Sequence, residues 1–199
     1  MRFSHREKKD LLIAGLMISL AFAILLAGGY RALLSLNSGL LIAFVIAFFT
    51  AGVGFLLHEL MHKYVAQSYG LHAEFKAFYN MLWVALGFSL FGFIVAAPGA
   101  VFISGGNISK EKNGKISLAG PVTNIVLAVV FLILLLIFGS SGMLGEILSF
   151  GLTINALLGA FNMIPVMPFD GAKIIAWNKG VYYTTLAIAV GLYLLSWFI

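Results

Sequence analysis

The sequence predicts an all-α polytopic membrane protein, a bundle of about five or six transmembrane helices with a re-entrant or β-hairpin segment set into it. Three observations carry this. Of 199 residues, 62% are apolar and only 10% charged, and the mean hydropathy is +1.07, which leaves too little charge to cover a soluble domain of this length. Charge-free runs recur at membrane-spanning length. Lys and Arg collect in the gaps between those runs.

A hydrocarbon core about 30 Å thick takes about 20 helical residues to cross. Charge-free runs extend over Leu11–Tyr30, Ala32–Leu57, Ala77–Ser109, Ile116–Gly145, Ile147–Phe169 and Val181–Ile199. The first follows a basic segment, and its length without a small-residue cleavage site favours a retained span over a signal peptide. Let the first, second, fourth, fifth and sixth runs each cross once from an inside N-terminus. Arg2, Arg6, Lys8 and Lys9, then Lys63 and Lys76, Lys110 to Lys115, and Lys173 with Lys179 all fall on the cytoplasmic side. Arg31 alone lies outside, as the positive-inside bias expects. Spans are therefore expected near 11–30, 39–66, 117–138, 147–165 and 181–199, within one domain covering 1–199.

The third run must then enter and leave by one face. Its Gly87, Gly92, Pro98, Gly99, Gly105 and Gly106 suit a broken helix or hairpin over 79–103, shielded by protein. The alternative is an ordinary span near Met81–Ala97, which would invert everything after it. Gly139-Ser140-Ser141-Gly142 reads as a short turn between helices. Ile103–Lys115, with Gly105-Gly106 and Asn113-Gly114, reads as turns with a β-hairpin at the membrane surface. Cysteine is absent, which excludes disulfides, thiolate metal ligands and thiol nucleophiles. The net charge of +5 is spread in small clusters, and no nucleic-acid surface is expected.

The chemistry concentrates at His58-Glu59-Leu60-Met61-His62. Residues four apart share a helix face, so both imidazoles can point at one ion. Glu59 is close enough to reach a metal-bound water without being a ligand, the usual division of labour in zinc hydrolysis. Two His and a Glu buried in a membrane helix with no task would be costly. A catalytic zinc usually takes a third protein ligand. Glu7 and Asp10 read as tail residues, Glu111 lies among lysines, and Glu146 heads a helix at the outer face. His72 and Glu74 remain open. Asp170 fits best by depth: counted at about 1.5 Å per residue, two antiparallel runs bring His58, His62 and Asp170 to similar levels near the inner boundary.

Three motifs together resemble the site-2 proteases, a family of intramembrane zinc metalloproteases. They are His58-Glu59-Leu60-Met61-His62, Gly120-Pro121-Val122-Thr123-Asn124, and the segment from Asn162 through Pro165 and Pro168 to Asp170-Gly171. The resemblance implies one Zn2+ held by His58, His62 and Asp170, with Glu59 as catalytic acid/base. It also implies a catalytic contribution from Asn162 and a substrate contact at Asn124, although a buried amide in a membrane helix also serves plain helix packing. The family often carries Gly-Gly after the Asp, where this chain has Gly171-Ala172. PDZ and CBS modules found in many relatives are not expected.

The expected activity is hydrolysis of peptide bonds in or near transmembrane helices of protein substrates, in the cell membrane, with the active site near the cytoplasmic face. The Gly- and Pro-rich 87–106 region offers an edge to which an unwound substrate can add as a strand. A zincin with a Glu ligand in a soluble domain has no room here. A non-proteolytic metal-binding protein or transporter is the remaining alternative, because intramembrane His and Asp suit a metal pathway equally. Glu59 discriminates: a transporter has no need of a base beside the ligands.

Overall fold

The computed structural model describes every residue except Leu36, Asn37, Val95 and Ala96; the last two, part of the expected 79–103 segment, lie outside the described residues. The elements in chain order are α1 (His5–Leu26), α2 (Tyr30–Ser35), α3 (Gly39–Ala47), a π-helical turn (Phe48–Gly52), α4 (Val53–Ser68), β1 (His72–Ala77), α5 (Tyr79–Ser89), β2 (Gly99–Ser104), α6 (Lys110–Phe138), α7 (Gly142–Asn162), α8 (Asp170–Trp177) and α9 (Lys179–Leu195). Among the described residues, four helices are long and apolar enough to cross a membrane: α1, the 30-residue stretch Gly39–Ser68, α6 and α7. The fold is thus an all-α polytopic membrane fold, with one small sheet of two strands among the described residues. With 17 residues, α9 sits at the short limit for a spanning helix.

The chain forms two compact units, one of residues 2–56 and 74–102 and the other of Met1, 57–73 and 103–199. In the first, α1 begins ahead of the apolar run because Ser4 caps it, its Oγ accepting from the Glu7 amide at 3.1 Å. Ala14 and Ile18 of α1 pack with Phe55, Phe75 and Leu82. The acids Glu7 and Asp10, read from sequence as tail residues, are buried instead. Glu7 Oε1 accepts from the Phe75 amide at 2.9 Å and Asp10 Oδ2 from the Ala77 amide at 3.2 Å. The Tyr79 hydroxyl donates to Asp10 Oδ1 at 2.6 Å. Alternate amides of a strand point to the same edge, so these two carboxylates cover one edge of β1 while β2 pairs with the other.

In the second unit, α6 and α7 pack through Ala128, Leu135, Leu148, Leu152 and Ala156. The turn expected at 139–142 joins them. Met163, Ile174 and Tyr182 form a smaller cluster around α8. The hairpin expected within Ile103–Lys115 does not form. Ser109 caps α6, its Oγ accepting from the Lys112 amide at 3.2 Å, and the helix absorbs Asn113-Gly114. There Gly114 faces the Trp177 side chain, whose ring carbons lie 2.7 Å from where a Cβ would stand. The strands form earlier, with α5 between them. Lys63, counted among the charges marking the cytoplasmic side, is buried.

Candidate metal centre

The pair His58 and His62 stands on α4, one helical turn apart on one face. Their rings are 4.6 Å apart between centroids and nearly perpendicular, at 84°. Both present Nε2 to a single oxygen of Asp170: His58 Nε2 lies 3.3 Å and His62 Nε2 3.1 Å from Oδ2. One ligand atom from each of the three residues lies within 4.8 Å of the others, and all three residues are buried.

The chain supplies Asp170 by ending α7 at Asn162, turning through the Pro165–Pro168 segment and starting α8 at Asp170. Proline cannot continue the α7 ladder of hydrogen bonds. The carboxylate enters at the first turn of α8, where the helix dipole favours negative charge. Burial alone would raise the Asp170 carboxyl, but the facing His62 and His58 imidazoles outweigh it and hold the group below the usual carboxylate range. Its other oxygen, Oδ1, faces Lys173 Nζ at 3.7 Å.

Outside this group, each imidazole is held by its second nitrogen. His62 Nδ1 lies 2.8 Å from the Ile116 carbonyl oxygen, and His58 Nδ1 lies 2.6 Å from Asn124 Oδ1. Fixing the far nitrogen in this way presents Nε2 as the ligand. Gly120 completes the cradle. A Cβ built on it would collide with Nε2 of both His58 and His62, so this position keeps clear the space toward which the nitrogens converge.

Two imidazoles and one carboxylate within reach of a single point are a donor set that fits a zinc ion, with a position left for water. Glu59 is buried beside them and, among the described residues, takes part in no hydrogen bond or ion pair.

The remaining sequence candidates fall elsewhere. Glu74 accepts from the Ser4 hydroxyl at 2.6 Å, Glu111 pairs with Lys115 at 2.6 Å, and His72 and Glu146 are exposed. Asn162 is half-buried at the end of α7, its Nδ2 donating to the Leu158 carbonyl one turn back at 2.9 Å. Among the described residues, its second amide hydrogen has no acceptor. Asn124, expected among the substrate contacts, is wholly buried, with Oδ1 on His58 and Nδ2 donating to Asn155 Oδ1 at 3.0 Å. Sequence reasoning did not single out Asn155. The available signal was an amide inside an otherwise apolar span, which must find a partner there.

Comparison with known proteins agrees with this chemistry. The chain is 42% identical over 201 aligned positions to "Putative zinc metalloprotease MJ0611" of Methanocaldococcus jannaschii, covering 98% of each chain. It is 31% identical over 135 positions to "Zinc metalloprotease MJ0392" of the same organism, covering 67% of this chain and 34% of that protein. With "Putative zinc metalloprotease YwhC" of Bacillus subtilis it shares 29% identity over 145 positions, 62% of this chain and 64% of the relative. No family model matches the chain, and no solved structure matches it. Alignment with MJ0611 over nearly the whole length of both proteins places the chain, with its converging His58, His62 and Asp170, in that zinc metalloprotease family.

Proposed function

We propose that the protein is an intramembrane zinc endopeptidase of the site-2 protease kind, cleaving peptide bonds within or near transmembrane helices of other membrane proteins. The observation that carries this reading is the convergence of His58, His62 and Asp170, with the His pair borne on a stretch of membrane-spanning length. The location we propose is the cell membrane, with the centre near its cytoplasmic face, as the distribution of basic residues suggests.

His58 and His62 would hold the ion through the nitrogens that converge on Asp170, and Asp170 would hold it through its carboxylate. A zinc ion held there would supply Lewis acidity for a water and for the scissile carbonyl. Glu59 takes the proton from the attacking water and passes it to the departing amine. Water thus adds hydroxyl to the acyl carbon and hydrogen to nitrogen as the C–N bond breaks. The uncommitted amide hydrogen of Asn162 is suited to the developing oxyanion. A substrate helix hides its carbonyls in its own hydrogen bonds, so the segment to be cut must first unwind. An extended segment can then be bound through main-chain hydrogen bonds, as in strand addition.

Glu59→Gln keeps the shape of the side chain and removes its basicity. Zinc content should stay at one ion per chain, while cleavage of a model transmembrane substrate falls by about 100- to 10,000-fold. Both are read on purified protein, with a chelator-treated control. Full activity in the variant would refute the assigned base. Metal flux across vesicles without cleavage would transfer the site to transport.

A further inference from the structure

The geometry points to Asn155 as a positioning residue of the metal centre, one that acts through Asn124 to determine which nitrogen of His58 faces the metal. This rests on the zinc reading of the site. The contacts form a line: His58 Nδ1 to Asn124 Oδ1 at 2.6 Å, Asn124 Nδ2 to Asn155 Oδ1 at 3.0 Å, and Asn155 Nδ2 to the Gly151 carbonyl oxygen at 3.0 Å. Asn124 on α6 and Asn155 on α7 are both wholly buried.

What matters is the direction in which each bond donates. An asparagine amide has a donor end and an acceptor end of nearly equal size, so shape alone does not orient it. A backbone carbonyl can only accept. Gly151 therefore obliges Asn155 to turn its NH2 toward the carbonyl and its oxygen toward Asn124. Asn124 must then give its NH2 to Asn155 and its oxygen to His58. The imidazole in turn must carry its proton on Nδ1, which leaves the Nε2 lone pair facing the space shared with His62 and Asp170.

Were Asn124 turned over, its NH2 would meet Nδ1. That contact favours the opposite tautomer, with Nε2 protonated and unable to bind metal. In an apolar interior no solvent relieves a mismatched pair. His62 needs no such relay, because its Nδ1 meets the Ile116 carbonyl directly at 2.8 Å. Both ligands are thus governed by a backbone carbonyl, one at first hand and one through two amides. Gly151 is also a close contact between helices: a Cβ there would stand 2.5 Å from a Phe131 ring carbon. The carbonyl that ends the relay thus belongs to a residue packed directly under the Phe131 ring of α6.

The test uses the full-length, zinc-loaded protein. Zinc affinity is measured by chelator competition, and nitrogen-15 histidine resonances report which His58 nitrogen is bound to metal. Asn155→Leu keeps the volume and removes both polar ends, so zinc affinity should fall about 10-fold, the lower end for groups beyond the ligands themselves. Asn155→Asp, in the neutral form that an apolar interior favours, can still donate its O–H to the Gly151 carbonyl and accept from Asn124, so its affinity should stay within about threefold of wild type. Unchanged affinity in Asn155→Leu, or an equal loss in both variants, would overturn the proposal. So would zinc bound through Nδ1 of His58 in the wild type, a result that needs no variant to fold. A wild-type protein that binds no zinc would defeat the metalloprotease reading and the relay together; zinc binding indifferent to Asn155→Leu would defeat the relay alone.

Discussion

Two pairs of buried carboxylates, one in each unit, show how an apolar chain uses the same group in two ways. Glu7 and Asp10, three residues apart on α1, accept hydrogen bonds from the amides of Phe75 and Ala77, and Asp10 also from the Tyr79 hydroxyl. Glu59 and Asp170 are met by groups that can change protonation or bind a metal. Asp170 faces two imidazoles, and Glu59 is buried within the field of the same two imidazoles. Burying an ionised carboxylate without compensation is costly in either place. Where fixed amide donors compensate for it, the carboxylate becomes part of the scaffold. Where imidazoles compensate for it, the charge can be shared with an ion, and reactivity follows. The distinction lies in the partners and not in burial or residue type.

Asp170→Ala is the harshest test of that contrast. It takes away the single oxygen that faces both imidazoles, and two histidines alone make an incomplete zinc site. Purified Asp170→Ala protein should carry well below one zinc per chain by elemental analysis and show no proteolysis. Its helical content by circular dichroism should be unchanged. Full zinc occupancy in this variant would show that the third ligand lies elsewhere and would remove the ground for treating the two carboxylate pairs differently.

Asp10→Ala sharpens the contrast from the other side. It deprives the Ala77 amide and the Tyr79 hydroxyl of a charged acceptor. With hydrogen bonds to charged groups contributing about 1.5–3 kcal/mol, the expected cost is about 3 kcal/mol of stability, read as a lowered thermal midpoint in detergent micelles. Zinc stoichiometry should be untouched. Zinc lost in step with Asp170→Ala would mean that the acids of α1 serve the metal centre as well as the strand.

The metal group itself was legible in the sequence. The four-residue spacing of His58 and His62 is a statement about one helix face; the depth count favoured Asp170 over His72 and Glu74, although it assumed one unbroken run where α7 ends at Asn162 and a proline-bearing turn leads to Asp170. What could not be read were features that depend on where backbone polar groups end up. Glu7 and Asp10 sit among Arg2, Arg6, Lys8 and Lys9, a pattern that resembles a solvated tail until the free edge of β1 is seen to lie against it. The same blindness placed a hairpin within 103–115, where turn-forming residues turned out to be absorbed by a capped helix. Asn155 carries no motif at all. Its meaning comes from Asn124 and from the Gly151 carbonyl, partners on another helix and on its own backbone.

The smallest effect belongs to Tyr79→Phe, and it probes whether the α1 clamp works as one unit. The phenol donates to Asp10 Oδ1 while the Ala77 amide holds Oδ2, so removing the hydroxyl leaves the carboxylate anchored by its second oxygen. Tyr79 is partly exposed, and water can replace its hydrogen bond. The expected loss is therefore about 0.5 kcal/mol, the low end for one hydrogen bond. In an Asp10→Ala background the same substitution should cost nothing further, since the acceptor is already gone, and the double-mutant cycle would report the whole single-variant loss as coupling. Equal losses in both backgrounds would mean that the phenol stabilises β1 and α5 through packing alone. Asp10 would then be a carboxylate held by the Ala77 amide rather than a two-sided clamp.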